Sequence, residues 1–150
     1  KYPKDEFHAN KKTRSVKCDI AIACATQNEL KVNDAKVLIK KGCKTVGEGA
    51  NKRCKADAVN LFIENKILYA PGKASNAGGV AVSGLEMAQN SLKYTWSREV
   101  VDGKLKEIMS DIHSSCLKYG SSKGQVNYVK GANIAGFVKV ADAMLAQGVV

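Results

Sequence analysis

Three short segments concentrate side chains that can hold a ligand without adding charge to it. They are CATQN (Cys24–Asn28), GAN (Gly49–Asn51) and PGKASNAGGV (Pro71–Val80). Each follows a short apolar run, and each carries amides, glycines and small residues where a packed core would want Leu or Val. Amide side chains both donate and accept hydrogen bonds, so this set suits recognition of polar, uncharged groups.

Groups suited to proton transfer or nucleophilic attack are sparse. His113 sits mid-helix beside Ile112 and reads as structural or surface. Glu48 ends an apolar run and could serve as a base, but sequence spacing sets no second carboxylate or histidine beside it. Lys73 could meet an acidic substrate, although a loop lysine reads more simply as solvated. Ser83 lies in VAVSGLE, where the nucleophile-elbow pattern G-x-S-x-G would need glycine at the position of Ala81. Its hydroxyl therefore reads as a hydrogen-bond donor. Cys18, Cys24, Cys43, Cys54 and Cys116 form no C-x-x-C pair, and an odd count fits reduced thiols in a cytoplasmic setting. The two histidines, His8 and His113, are far apart, so no metal site is expected.

The elements that must position the three segments follow from periodicity. Val16–Cys24, Lys44–Gly49 and Ile67–Ala70 read as strands. Between them, a helix capped by Asn33 runs through Val37, Leu38 and Ile39 to Gly42, and a second covers Asp57–Asn65, partly burying Val59, Leu61, Phe62 and Ile63. Strand, helix, strand, helix, strand predicts a parallel sheet with crossover helices, and such sheets bind ligands beyond the carboxyl ends of their strands. All three polar segments fall there. From Val80 onward the pattern is helical. One helix starts within NAGGV and runs towards Trp96. Ser97 caps another with Val101, Leu105, Ile108, Ile112 and Cys116 on one face. Gly120–Gly124 reads as an exposed loop, and a last helix carries Ile134, Phe137, Val138, Ala141, Met144 and Leu145 in a stripe that ends at Gly148.

The fold class is thus α/β, half of a Rossmann-like parallel sheet followed by long C-terminal helices. A complete dinucleotide fold needs two such halves. The fingerprint G-x-G-x-x-G is absent: Gly47-Glu48-Gly49 comes nearest, with Lys52 at the third glycine position. No P-loop occurs either.

At 150 residues and 45% apolar composition the chain has the makeup of one globular domain, and no apolar run is long enough to span a membrane. A net charge of +10 permits attraction to polyanions, but the lysines are spread out and aromatics make up only 6%. Solvated surface explains this better than a nucleic-acid footprint, so neither nucleic acid nor membrane is expected as a partner. The densest basic stretch is Lys1, Lys4, Lys11, Lys12, Arg14 and Lys17, expected to be solvent-exposed. A first residue of Lys1 and an opening KYPKDEF without an apolar stretch suggest a piece of a longer chain with no secretory signal.

Four blocks together carry a family likeness: CDIAIACATQNEL, EGAN, APGKASNAGGVAVSGLEMAQNS and NYVKGANIAGFVKVADAMLAQG. From about Val16 to Val150 they resemble the C-terminal third of hexameric, NADP-dependent glutamate dehydrogenases. The resemblance implies reversible oxidative deamination of L-glutamate to 2-oxoglutarate and ammonia, in a cytoplasmic homohexamer, with NADP as cofactor and NAD as a second option. It implies that Ala25, Thr26, Gln27, Asn28 and Asn51 border the nicotinamide and its ribose, and that Asn76 holds the nicotinamide side. Gly78 and Gly79 would allow close backbone approach. Val80 and Ser83 would line the glutamate pocket, with Ser83 donating to the substrate's side-chain carboxylate.

By the same likeness, residues 16–96 are the second half of the cofactor domain with a hinge helix, 97–150 are helices returning to the substrate domain, and 1–15 are unassigned. The family's substrate-binding lysines, catalytic aspartate and phosphate-binding turn lie in an N-terminal part without counterpart here, so no catalytic residue is expected in this chain. The sequence departs from the family pattern at Lys52-Arg53, where Met-Pro is usual, and at Ala23, where proline is usual. A related leucine, valine or phenylalanine dehydrogenase is the enzymatic alternative, and a basic nucleic-acid module the non-enzymatic one.

Overall fold

The computed structural model describes residues 13–52 and 54–148. Lys1, Lys4, His8, Lys11, Lys12 and Arg53 lie outside them. The chain opens with a single 3-10 turn, Thr13–Ser15, and then alternates strand and helix: β1 (Ile20–Ala23), α1 (Val32–Lys40), β2 (Thr45–Glu48), α2 (Ala56–Glu64) and β3 (Leu68–Ala70). The strands form one parallel sheet in the order β1-β2-β3, with Ala21 opposite Val46 and Val46 opposite Tyr69. The predicted first strand was longer; the segment from Val16 to Asp19 is not strand, and regular pairing begins at Ile20 opposite Thr45.

Alternation explains which face is covered. The row Ala21, Val46, Tyr69 packs beneath α1 and α2, where Ala35, Leu38, Ala58 and Phe62 close the core. Phe62 is fully buried and stacks on Tyr69 with ring centroids 6.0 Å apart. The other face of β1 stays open: Ile20 is 62% and Ile22 66% exposed. A groove of about 250 Å³ runs along this strand, lined by Thr13, Arg14, Val16, Ile20 and Ile22 among others.

Helix starts differ from expectation in one place. The N-cap of α1 is Lys31 rather than Asn33, because the Asp34 carboxylate accepts the Lys31 backbone N–H at 3.0 Å and so closes the first turn. Gly42 follows the helix at φ +80°, as its position after the last turn requires.

Beyond β3 the predicted loop is itself largely helical. A short α3 (Gly72–Ser75) precedes α4 (Ala77–Leu92), which ends before Trp96 because Lys93 turns left-handed at φ +53°. Ser97 caps α5 (Arg98–Gly120) by accepting from Val100 N, and Asn127 caps α6 (Tyr128–Gln147) by accepting from Lys130 N at 2.9 Å. The predicted exposed loop between them is a small antiparallel ribbon, β4 (Ser121–Ser122) with β5 (Gln125–Val126), and Gly120 is buried.

Helices α5 and α6 pack together with their backbones in direct contact. A Cβ at Gly131 would lie 2.2 Å from the Cys116 carbonyl oxygen, so only glycine permits that approach. His113 stacks on Tyr128 across the same pair, at 5.7 Å between centroids. The apolar stripe of α6 is only partly used. Phe137 is 72% and Leu145 83% exposed, because periodicity reports an amphipathic face and not what covers it.

Candidate cofactor-side crevice

At the carboxyl ends of the strands the three polar segments converge. Gln27, Gly49, Ala50, Asn51, Asn76 and Val80 line one open crevice of about 510 Å³. Its position, outside the carboxyl edge of a parallel sheet, is where such folds bind ligands. Two contacts bring the first two segments together. The Asn28 N–H donates to the Lys52 carbonyl at 3.0 Å, and Leu30 forms a parallel bridge with Cys54, so the CATQN and GAN segments run alongside each other. Both Asn28 and Lys52 take left-handed backbone angles, at φ +53° and +48°. Asparagine tolerates that region better than most residues, whereas at Lys52 it is an uncommon conformation for an ordinary side chain.

The third segment joins through side chains. Asn76 Nδ2 donates to Asn51 Oδ1 at 2.7 Å. Asn76 stands between α3 and α4, ending one helix and preceding the other, so its backbone is fixed from both sides.

The CATQN turn has its own brace. The Glu29 carboxylate accepts the Ala25 N–H at 3.2 Å and pairs with the Arg14 guanidinium, which also reaches Asp34 Oδ1 at 3.3 Å. Arg14 is therefore not the free surface cation that its basic neighbourhood suggested.

Not every predicted site residue faces the crevice. Ala25, Thr26 and Asn28 belong to the CATQN turn but do not line the hollow. Ser83 is exposed on α4, one turn beyond Val80 and on the same side of that helix. A Cβ at Gly78 would meet Leu105 and Met109 of α5 at 3.6 and 3.7 Å, so that glycine lies against α5, and one at Gly79 would meet nothing within 4 Å. Lys73 is not simply solvated, since its ammonium donates to Asn133 Oδ1 on α6 and ties the third segment to the last helix.

Glu48 overturns its reading as a possible base. It is 6% exposed, and its two carboxylate oxygens each accept a backbone N–H at 2.7 Å, from Cys54 and from Gly72. Both oxygens turn to backbone amides inside the fold, and Glu48 does not line the crevice, so neither is placed to take a substrate proton. A sequence signal for this existed: in TVGE, Glu48 shares the inward face with Val46, so alternation alone demanded a buried, satisfied carboxylate. Burial pushes the nearby Cys54 thiol up to about 12 and raises Tyr69 as well.

A three-stranded parallel sheet with crossover helices, polar segments at its carboxyl edge and long helices after it is half of a Rossmann-like α/β fold. The chain belongs to the Glutamate/Leucine/Phenylalanine/Valine dehydrogenase family, whose profile matches residues 1–148. It is 62% identical over 136 residues to an NADP-specific glutamate dehydrogenase of Salmonella typhi, covering 91% of this chain and 30% of that protein. An NAD-specific glutamate dehydrogenase of Bacteroides fragilis is 56% identical over 150 residues, or 99% of this chain and 34% of that protein. The crystal structure of Plasmodium falciparum glutamate dehydrogenase superposes with a TM-score of 0.87 at 52% identity, covering 94% of this chain and 31% of that one. The chain thus spans about a third of the length of the curated relatives it matches.

Proposed function

We propose that this chain is the C-terminal part of an NADP-dependent glutamate dehydrogenase and supplies the nicotinamide-side wall of its cofactor site. The observation that carries the reading is the convergence of Gln27, Asn51 and Asn76 on one crevice beside Val80. The donor set fits the group. With Asn76 Nδ2 committed to Asn51 Oδ1, the pair retains Asn51 Nδ2 as a donor and Asn76 Oδ1 as an acceptor. A carboxamide needs one of each, and Gln27 offers both to ribose hydroxyls. When bound, the cofactor supplies a ring that accepts hydride from the substrate carbon.

The chain's own residues bind and orient. Asn51, Asn76 and Gln27 hold the ring's edge, with Ala25, Thr26 and Asn28 shaping the turn that presents Gln27. Val80 bounds the hollow, and Ser83, one helical turn on, donates its hydroxyl to the side-chain carboxylate of L-glutamate. Residues 16–96 serve the cofactor domain and 97–150 return to the substrate domain. The proton-transfer groups and the pyrophosphate grip belong to the rest of the polypeptide, so these 150 residues by themselves are inactive.

NADP is the favoured cofactor because NADP-specific relatives reach 62% identity, with NAD the second reading on the 56% identity of the Bacteroides fragilis enzyme. The bare face of β1 and the exposed stripe of α6 support burial against the remaining polypeptide and against other subunits, as a hexamer provides. Five free cysteines, an odd number, support a cytoplasmic setting. No helix among the described residues is long and apolar enough to cross a membrane.

The test is a substrate panel on the complete protein. Glutamate-dependent reduction of NADP, with leucine, valine and phenylalanine inert, is the expected result. Preference for an apolar amino acid would overturn the glutamate assignment, since an apolar side chain gains nothing from the Ser83 hydroxyl.

A further inference from the structure

We propose that Glu48 is a positioning residue for the cofactor ring: its buried carboxylate clamps the GAN segment to the start of α3 and so sets the Asn51–Asn76 contact. The inference rests on the cofactor reading above. Glu48 is the one buried charged side chain among the described residues. A carboxylate in that position carries a desolvation cost that must be offset by strong partners. Its partners are two backbone N–H groups, Cys54 and Gly72, each at 2.7 Å, the distance of charge-assisted bonds.

The location of those two amides gives the carboxylate its role. Cys54 lies three residues after Asn51, and Gly72 lies four residues before Asn76. One side chain therefore fixes the spacing between the two segments whose amides meet at 2.7 Å. The fit is tight, because a Cβ at Gly72 would approach Glu48 Oε2 to 2.8 Å and the Ala50 carbonyl to 3.0 Å. A second bond reinforces the clamp from the backbone side: Ser75 Oγ donates to the Glu48 carbonyl at 2.6 Å, next to Asn76. Glu48 is not itself among the residues that line the crevice and does not reach the reacting atoms, so it acts through the asparagines.

Glu48→Gln keeps the shape but turns one oxygen into an N–H₂ facing a backbone N–H, which opens one arm of the clamp. The experiment measures binding to the complete protein of two probes, NADPH by its fluorescence and 2′-phospho-ADP-ribose, which lacks the ring, by calorimetry. Glu48→Gln is expected to weaken NADPH about tenfold and to leave 2′-phospho-ADP-ribose within about twofold. Ser75→Ala, which keeps the carboxylate and serves if Glu48→Gln does not fold, is expected to weaken NADPH selectively by about threefold. If the carboxylate only stabilises the fold, Glu48→Gln would lower the melting temperature and either weaken both probes alike or weaken neither. Either pattern overturns the positioning role. If the wild-type protein fails to bind NADPH, the cofactor reading falls first and takes this inference with it.

Discussion

Asn76 and Asn51, twenty-five residues apart in the chain, share a hydrogen bond of 2.7 Å at the mouth of the crevice. Neither amide could hold a fixed orientation alone on a turn. Joined, they present one donor and one acceptor in a set relation, which is what recognition of a planar carboxamide requires.

Breaking that pair should weaken cofactor binding without touching amino-acid binding. Asn76→Ala and Asn51→Ala in the complete enzyme are each expected to raise the KM for NADP about fivefold to tenfold, the worth of one neutral hydrogen bond. The double variant should lose less than the product of the two. A double-mutant cycle on cofactor KM checks this, and strict additivity would show that the two side chains act apart.

Ser83→Ala should act on the other ligand. Losing a hydrogen bond to a charged carboxylate costs about 1.5–3 kcal/mol, so the KM for glutamate should rise about tenfold to a hundredfold. Cofactor KM should stay near that of the wild type. Steady-state kinetics with each substrate varied in turn separates the two, and an unchanged glutamate KM would count against Ser83 as a substrate ligand.

The contact between α5 and α6 has a structural test. Gly131→Ala places a methyl group 2.2 Å from the Cys116 carbonyl, an atom that cannot rotate away. The two helices must separate, at a cost of about 3 kcal/mol. Thermal denaturation of the complete protein should register this as a lowered Tm, whereas Gly136→Ala, inside the same helix where a Cβ meets nothing within 4 Å, should leave Tm at or slightly above the parent value.

Alkaline pH should destabilise the core beside Glu48. Burial raises the Cys54 thiol from an ordinary 9.0 to about 12, so the folded protein holds that proton more tightly than the unfolded chain does. The resulting stability is fully present below about pH 9 and is lost as pH rises towards 12. Tyr69, raised by the same burial, adds to the loss. Denaturant titrations across that range should show ΔG falling with pH, and Cys54→Ala should flatten the slope even though it lowers stability throughout.

Much of this architecture was legible in the residues. Short apolar runs ending in CATQN, GAN and PGKASN point to three parallel strands with polar segments at their carboxyl ends, as the sheet and its crevice bear out, since strand alternation and turn chemistry are local signals. What escaped was whatever depends on partners distant in sequence. Nothing near Arg14 announces its pairing with Glu29 and Asp34, and nothing near Lys73 announces Asn133. Glu48 was visible as a charge on an inward face, yet its partners are backbone amides, which carry no residue identity to read. The PGKASN segment looked like loop because Gly and Pro punctuate it, but Pro71 precedes the first turn of α3, a position where proline suits a helix. The stripe on α6 is legible as a stripe, but periodicity does not say what covers it, and Phe137, Met144 and Leu145 are exposed in this chain.

The most direct test of the account is a crystal structure of the complete polypeptide with NADP bound. The nicotinamide carboxamide is expected within hydrogen-bond distance of Asn76 or Asn51, with Gln27 on the adjacent ribose. A dinucleotide seated elsewhere, with Gln27, Asn51 and Asn76 all facing solvent, would contradict it.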